Sequence, residues 1–244
     1  MNSAAPLCLP RDEFIERLRR EGKERYHDAH RYHVLMHAGK LTREQLQQWV
    51  LNRYYYQTRI PIKDALILSK SEDPEFRRLW IHRLRDHDGT QAGEGGLASW
   101  LRLAAGVGLD VQQVASCRSV LPGVRFACDA YVELVRHSTL LEAVASSLTE
   151  FFAPDIMSKR IQAWEQHYPW VSPEMLEYFR TRVTRARLDS QEAVEFVVRH
   201  ATSYELQERC VAALIRKTEI LWHLLDSVYA AYIEPGWGAA GSRA

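Results

Sequence analysis

An all-α fold is predicted by three features of the 244-residue sequence. Apolar residues recur at three- and four-residue spacings, alternating Val/Ile/Thr runs are scarce, and helix-starting residues repeatedly precede the periodic segments. Gly (12) and Pro (9) are too few for a many-turned β sandwich. Pro10 and Asp12 precede Phe14, Ile15 and Leu18, a first amphipathic helix ending near Gly22. Thr42 and Gln45 have the spacing of a capping box, opening a helix through Leu46, Trp49, Val50 and Arg53 to about Ile60, where Pro61 kinks or interrupts it. Asp73 is a good N-cap before Pro74 at the first helical position, and that helix runs toward His87. A glycine cluster from Gly89 to Gly96 separates it from Leu97-Trp100-Leu101.

A short helix around Val111 to Ala115 follows, then one from Pro122 to about His137. Thr139 and Glu142 form a second capping box for Leu140 to Phe152, after which Pro154 breaks or bends the path. Ser172-Pro173-Glu174 caps a helix through Tyr178 and Arg182. The segment from about Tyr204 to Tyr232 is the longest, and at 1.5 Å per residue it spans roughly 40 Å, enough to act as a spine for shorter helices. Neither repeat nor linker divides the chain. The expectation is one all-α domain over 11–234, with 1–10 and 235–244 as flexible ends.

Composition narrows the function classes. Lys+Arg at 32 against Asp+Glu at 31 leaves +1, so no global positive field argues for nucleic acid or anionic lipid. No stretch approaches the ~18 uninterrupted apolar residues of a membrane helix, and the N-terminus lacks the pattern of a signal peptide. A soluble, cytoplasmic, globular protein is expected. Cys8, Cys117, Cys128 and Cys210 form no CxxC pair and read as reduced thiols.

Function should show as polar groups on faces that periodicity assigns to the interior. Lys217 continues the stripe Cys210, Ala213, Leu214 toward Ile220, Leu221 and Leu224. A buried ammonium is costly without an anion, so this lysine either snorkels to the surface or faces a ligand. Trp49, Arg53, Tyr56, Gln57 and Ile60 share one helix face, which either lines a polar pocket or lies partly exposed. Ala143, Ser146, Ser147 and Glu150 make a small-residue stripe ending in a carboxylate. Tyr178 and Arg182 stand four apart, and His87 ends its helix one turn after Arg83. With Tyr131, this set of cations, titratable groups and hydrogen-bonding rings suits a small polyanionic, quinone-like or aromatic substrate and acid–base chemistry.

Metal is the rival reading, because helical bundles build di-iron sites from Glu-x-x-His pairs. A single such pair occurs, Glu24-Arg25-Tyr26-His27, where a di-iron site of this kind needs two. His30, His33 and His37 fit one helix face, and without carboxylate partners they read as a polar, partly exposed stripe.

Several of these segments carry a family resemblance: NRYYYQ at 52–57, RLRDHDG at 83–89, LPGVRFACDAYV at 121–132, SSLTEFFAP at 146–154, HYPW at 167–170, YFRTR at 178–182 and KTEILWHLLD at 217–226. In order across 11–234, they resemble the pyrroloquinoline-quinone synthase (PqqC) family, within the haem-oxygenase-like, TenA-like fold superfamily. The resemblance implies a compact seven-helix bundle around a closed pocket, usually as a homodimer. It implies ring closure and eight-electron oxidation of the bicyclic precursor AHQQ to pyrroloquinoline quinone (PQQ), with O2 as acceptor, H2O2 released and no metal or redox cofactor.

Residue by residue, the resemblance implies that Arg53, Gln57, Lys63, Arg83, Arg160, Arg182 and Lys217 hold carboxylates and quinone oxygens. Tyr56, Thr149 and Tyr178 add hydrogen bonds. His87 is the leading proton-transfer base, with Tyr131 and Glu150 beside it and His27 supporting, while Arg182 and Tyr178 help make the dioxygen or peroxide site. Two positions depart from the family pattern: Met157 stands where a histidine is usual, and Thr90-Gln91-Ala92 replaces a loop that carries another. A thioether is neither proton donor nor base. The alternatives are a diverged oxidase or di-iron homologue acting on another substrate, and a non-enzymatic protein that binds and passes on the quinone.

Overall fold

The computed structural model describes residues 8–234, which contain eleven α-helices and three short 3-10 segments, and no strand among the described residues. The all-α expectation therefore holds, while the count exceeds seven: eight longer helices and three short connectors of six or seven residues. The expected flexible ends 1–7 and 235–244 lie outside the described residues. Leu9, inside the expected N-terminal tail, is held by Gln207, which accepts from its N–H at 2.8 Å and donates to its carbonyl at 2.9 Å.

Helix α1 (Arg11–Arg25) runs one turn beyond Gly22, which tolerates the helix interior because a side chain there would strike Phe152. A 3-10 turn (His27–Ala29) and α2 (Arg31–His37) follow, with His30 accepting from the Tyr32 N–H as N-cap. Both sides of the Thr42/Gln45 capping box form at the start of α3 (Arg43–Ser69). Here the expectation of a break fails, since α3 passes through Pro61 without interruption. An interior proline costs about 3 kcal/mol or more. The offset is burial: each residue from Trp49 to Gln57 is buried, as are Pro61, Lys63 and Asp64 on the inner face around the proline.

Asp73 caps α4 (Pro74–Asp88) through the Glu75 and Phe76 N–H groups. The glycine segment then turns the chain into α5 (Gly95–Gly106). Gly95 has φ +80°, and a Cβ there would lie 2.6 Å from the His87 carbonyl, so only glycine fits against the end of α4. Short α6 (Val111–Ser116) leads to α7 (Pro122–His137), which starts at proline as expected.

The segment predicted as one helix over 140–152 divides. Its capping box forms at the start of α8 (Leu140–Ser146), but residues 147–152 tighten into a 3-10 segment that leads directly into α9 (Ala153–His167). Pro154 sits in the first turn of α9, where its missing N–H costs nothing, so it starts a helix instead of breaking one. Ser172 makes no cap hydrogen bond. Pro173–Leu176 form a 3-10 turn, and α10 (Glu177–His200) starts only after it. Ser203 caps α11 (Tyr204–Tyr232), the longest helix, with the predicted bounds.

Helix α3 packs on α4, α5 and α7, while α11 packs on α1, α7 and α8, and α10 on α9 and the 147–152 segment. The apolar residues of these faces form a continuous core in which Trp49, Trp100, Trp164 and Phe179 meet. Among the described residues no helix is long and apolar enough to cross a membrane.

Candidate active site

Between α3, α7, α9, α10 and α11 the core gives way to an internal chamber. Its wall includes Tyr26, His27, Arg53, Tyr56, Gln57, Lys63, His87, Tyr131, Thr149, Glu150, Arg160, Tyr178 and Arg182. Twelve of the fourteen residues proposed from sequence thus line one space. The other two, Arg83 and Lys217, stand one layer behind: Arg83 reaches the wall by donating to Glu150 at 2.7 Å, and Lys217 Nζ lies 3.3 Å from the centre of the Tyr131 ring. The cavity holds about 70 Å³, well under the ~300 Å³ at which small-molecule pockets begin. A multi-ring ligand therefore requires wall side chains to move.

One side of the chamber is built of cations that carry their own anions. Asp189, buried on α10, accepts from Arg182 Nη2 at 3.3 Å, pairs with His82 Nε2 at 3.0 Å and lies 3.9 Å from Arg83 Nε. Burial alone would raise its pKa, but the His82 hydrogen bond and the two guanidiniums override it and hold the carboxyl below the ordinary range. Arg83 also pairs with Glu150, whose pKa is raised, by burial first, against the lowering pull of Arg83, Lys63 and Arg182. Lys63 Nζ lies 2.6 Å from Asp64 and 3.2 Å from the Ser147 hydroxyl. Burial pulls its pKa down, yet Asp64, Tyr131 and Glu150 outweigh this and raise it. Tyr178 donates to Gln57 Oε1 at 2.7 Å.

The opposite side lacks such partners. Arg53 Nη1, Arg160 Nε and Lys217 Nζ are buried with no hydrogen-bond acceptor among the described residues. Arg53 lies over the Tyr56 ring at 3.9 Å, and Tyr56 stacks parallel to Tyr131. Lys217 is covered by the faces of both tyrosines, so it does not snorkel. Burial first, and then Arg53, pushes its pKa well below the lysine value. Arg160 is lowered to about 9 by burial and by Arg53.

His87 presents a neutral ring to the chamber. Its Nδ1 lies 3.2 Å from the Arg83 carbonyl, which can only accept, so Nδ1 carries the hydrogen and the lone pair sits on Nε2. That Nε2 is buried and unpartnered. Burial, then Arg182, lowers its pKa to about 3, so the ring is neutral near pH 7.

The two departures fall differently. Met157 lines the chamber, its sulfur 3.4 Å from Arg160 Nη1, whereas Gln91 is exposed and off the wall. The histidine stripe needs correction: His30 and His33 are buried and His37 half-buried, because this helix packs under α9 and α11. The rings do not converge on a metal, since His30 turns to Asp226 and His33 to Arg160. His82, Asp86 and Asp189 do meet within 4.8 Å, but Asp189 serves Arg83 and Arg182, and Asp86 pairs with Arg185.

Sequence reasoning missed Asp189, Asp64 and Tyr26. Asp189 was detectable, for it interrupts the stripe Ala186, Ala193, Val197 as Glu150 ends its own.

Residues 15–227 match the family model described as "TENA/THI-4/PQQC family". A protein of Acidiphilium cryptum named pyrroloquinoline-quinone synthase is 49% identical over 230 residues, 94% of each chain. Another of that name, from Pseudomonas savastanoi pv. phaseolicola, is 51% identical over 220 residues, 90% of this chain and 87% of the other. Among solved structures, a domain of unknown function with a heme oxygenase-like fold from Shewanella denitrificans superimposes with a TM-score of 0.74 at 15% identity, over 95% of this chain and 97% of that one. A TenA homologue from P. horikoshii gives 0.65 at 13% identity, covering 88% and 98%. These structures share the fold.

Proposed function

The chain belongs to the TENA/THI-4/PQQC family, and from that premise we propose that it is an oxidase acting at the last step of pyrroloquinoline quinone biosynthesis. The observation that carries this reading beyond likeness is the set of buried donors, on Arg53, Arg160 and Lys217, without acceptors among the described residues around one chamber. Burying an unpaired cation is strongly unfavourable. A rigid ligand bearing several carboxylates and ring oxygens supplies the missing anions, and no neutral ligand does.

The precursor AHQQ enters as reductant, and O2 accepts its electrons in the ring closure and eight-electron oxidation that release H2O2. Arg53, Arg160 and Lys217 hold its carboxylates, with Gln57, Tyr56 and Thr149 adding hydrogen bonds. His87 takes a proton through Nε2. Arg83, held by Glu150 and Asp189, places Glu150 beside Tyr131 as the second proton site, and His27 supports it. Lys63, Tyr178 and Arg182 stabilise the negative charge that develops as oxygen is reduced, which preorganised cations do without reorganisation. We expect no cofactor to take part: the wall's one carboxylate, Glu150, is committed to Arg83, and the guanidinium and ammonium groups around the His27 and His87 imidazoles oppose a metal ion. A cytoplasmic homodimer is the expected form, and sedimentation measures the latter.

Oxygen uptake by the purified protein with AHQQ, followed by the absorbance of the quinone, tests the reading. Stoichiometric conversion is expected. One-to-one quinone binding without oxygen uptake would make the protein a carrier, and activity that tracks bound iron would make it a di-iron oxidase.

A further inference from the structure

His33, on α2 and outside the chamber wall, takes part in none of the roles above. Its ring is buried and has two defined partners: Nδ1 lies 3.0 Å from the His27 carbonyl and Nε2 lies 3.3 Å from Arg160 Nη2. A carbonyl only accepts and a guanidinium only donates, so one tautomer alone satisfies both contacts. The hydrogen is on Nδ1 and the lone pair on Nε2. Arg160 has little else to hold it among the described residues. Its Nη1 faces the Met157 sulfur at 3.4 Å, a weak acceptor, and its Nε has no partner. Its guanidinium is enclosed by the rings of Trp49 at 4.9 Å and Phe179 at 5.3 Å.

We propose that His33 is the positioning residue for Arg160: its Nδ1–H tautomer, anchored on the His27 backbone, fixes the guanidinium so that its remaining N–H groups address a substrate carboxylate. The inference rests on the reading that the chamber binds a polycarboxylate. Among the described residues His33 is the one strong acceptor offered to Arg160, and it carries no charge of its own. An aspartate or glutamate there would neutralise the guanidinium and compete with the ligand, whereas a neutral imidazole orients the cation and leaves its charge for the substrate. The stacked ring of His37, at 5.8 Å and 21°, backs His33 from the far side. Because His33 is tied to the peptide of His27, a chamber residue, one side chain sets two parts of the wall.

Titration of PQQ into wild type, His33→Phe, His33→Gln, Arg160→Ala and the His33→Phe/Arg160→Ala pair tests this. Arg160→Ala and His33→Phe are each expected to weaken binding about tenfold. The double variant should bind no more weakly than Arg160→Ala alone, since the two act through one contact. His33→Gln, whose amide oxygen can accept, should recover most of the loss, and in turnover the His33→Phe effect should fall on KM more than kcat. Full affinity in His33→Phe, or losses that simply add, would overturn the inference. Wild-type affinity in Arg160→Ala would overturn it too, while oxygen uptake by that variant would leave the oxidase reading standing. Nitrogen NMR of the wild-type protein decides the tautomer without any variant, and a His33 ring protonated at Nε2 sinks the proposal.

Discussion

The two sides of the chamber hold the same kind of side chain under opposite terms. Toward α4 and α10, Arg83, Arg182 and Lys63 each have a carboxylate of their own in Glu150, Asp189 or Asp64. Toward α9 and α11, Arg160 and Lys217 have none among the described residues, nor does Nη1 of Arg53, and aromatic faces cover them instead. A cation with a built-in anion is fixed in place and contributes field. A buried cation without one is costly until an anion arrives. The first arrangement belongs to scaffolding and to stabilising charge during the reaction, and the second to recognition. The two predict different phenotypes for substitutions a few ångströms apart.

The largest expected effect is on rate. His87→Ala should retain quinone binding, because the ring holds no ligand carboxylate, while turnover falls about a hundred- to ten-thousandfold, the usual contribution of a positioned base. Single-turnover oxidation of AHQQ measures it, and parental turnover would remove His87 from the chemistry. Next is Asp189→Ala, which strips the paired side of its central anion. Leaving Arg182 buried and uncompensated, and Arg83 with Glu150 alone, should cost about 3–5 kcal/mol in denaturant unfolding. A loss below about 1 kcal/mol, the range of exposed ion pairs, would show that the paired side is not held by its ion pairs.

What was legible in the sequence divides along a related line. Helices with local start signals, such as the capping boxes at Thr42 and Thr139, Asp73 before Pro74 and the stripe from Tyr204, formed where their own residues dictate. Pro61 and the 147–152 segment did not follow local rules, because burial of Pro61, Lys63 and Asp64 in one and of Ser147, Leu148, Thr149 and Phe152 in the other overrides propensity there. Pro154, expected to break or bend the path, instead sits in a first turn, where a proline starts a helix. The unpaired cations were visible as polar residues on apolar stripes, Lys217 above all. That they meet is a property of helices remote in sequence, which periodicity does not encode, and only the resemblance anticipated it. Of the built-in anions, Asp189 shows in the sequence only as a break in its apolar stripe, and Asp64, next to Lys63, looks like surface until its partners are known.

Lys217 gives the sharpest separation of the two sides. Lys217→Met removes a buried amine that the free protein has no anion to match, so stability should rise, by on the order of 1 kcal/mol in denaturant unfolding, while affinity for the quinone falls about tenfold. Stability lost together with affinity would place Lys217 on the paired side after all.

The smallest effect is the one that reports charge directly. Burial holds the Lys217 pKa well below its ordinary value in the free protein, and that of Arg160 at about 9. A carboxylate placed beside either favours the charged form and raises its pKa. The complex then binds more protons than the free protein, so binding takes up protons and affinity falls as pH rises, by at most about tenfold per pH unit for each full proton gained. Calorimetric titration in buffers of different ionisation enthalpy measures the uptake, which should shrink in Lys217→Met and persist in Asp189→Asn, whose target lies on the side already neutralised. Equal uptake in the wild type and Lys217→Met would mean that the ligand's charge is met elsewhere, and the division between the two sides would lose its functional meaning.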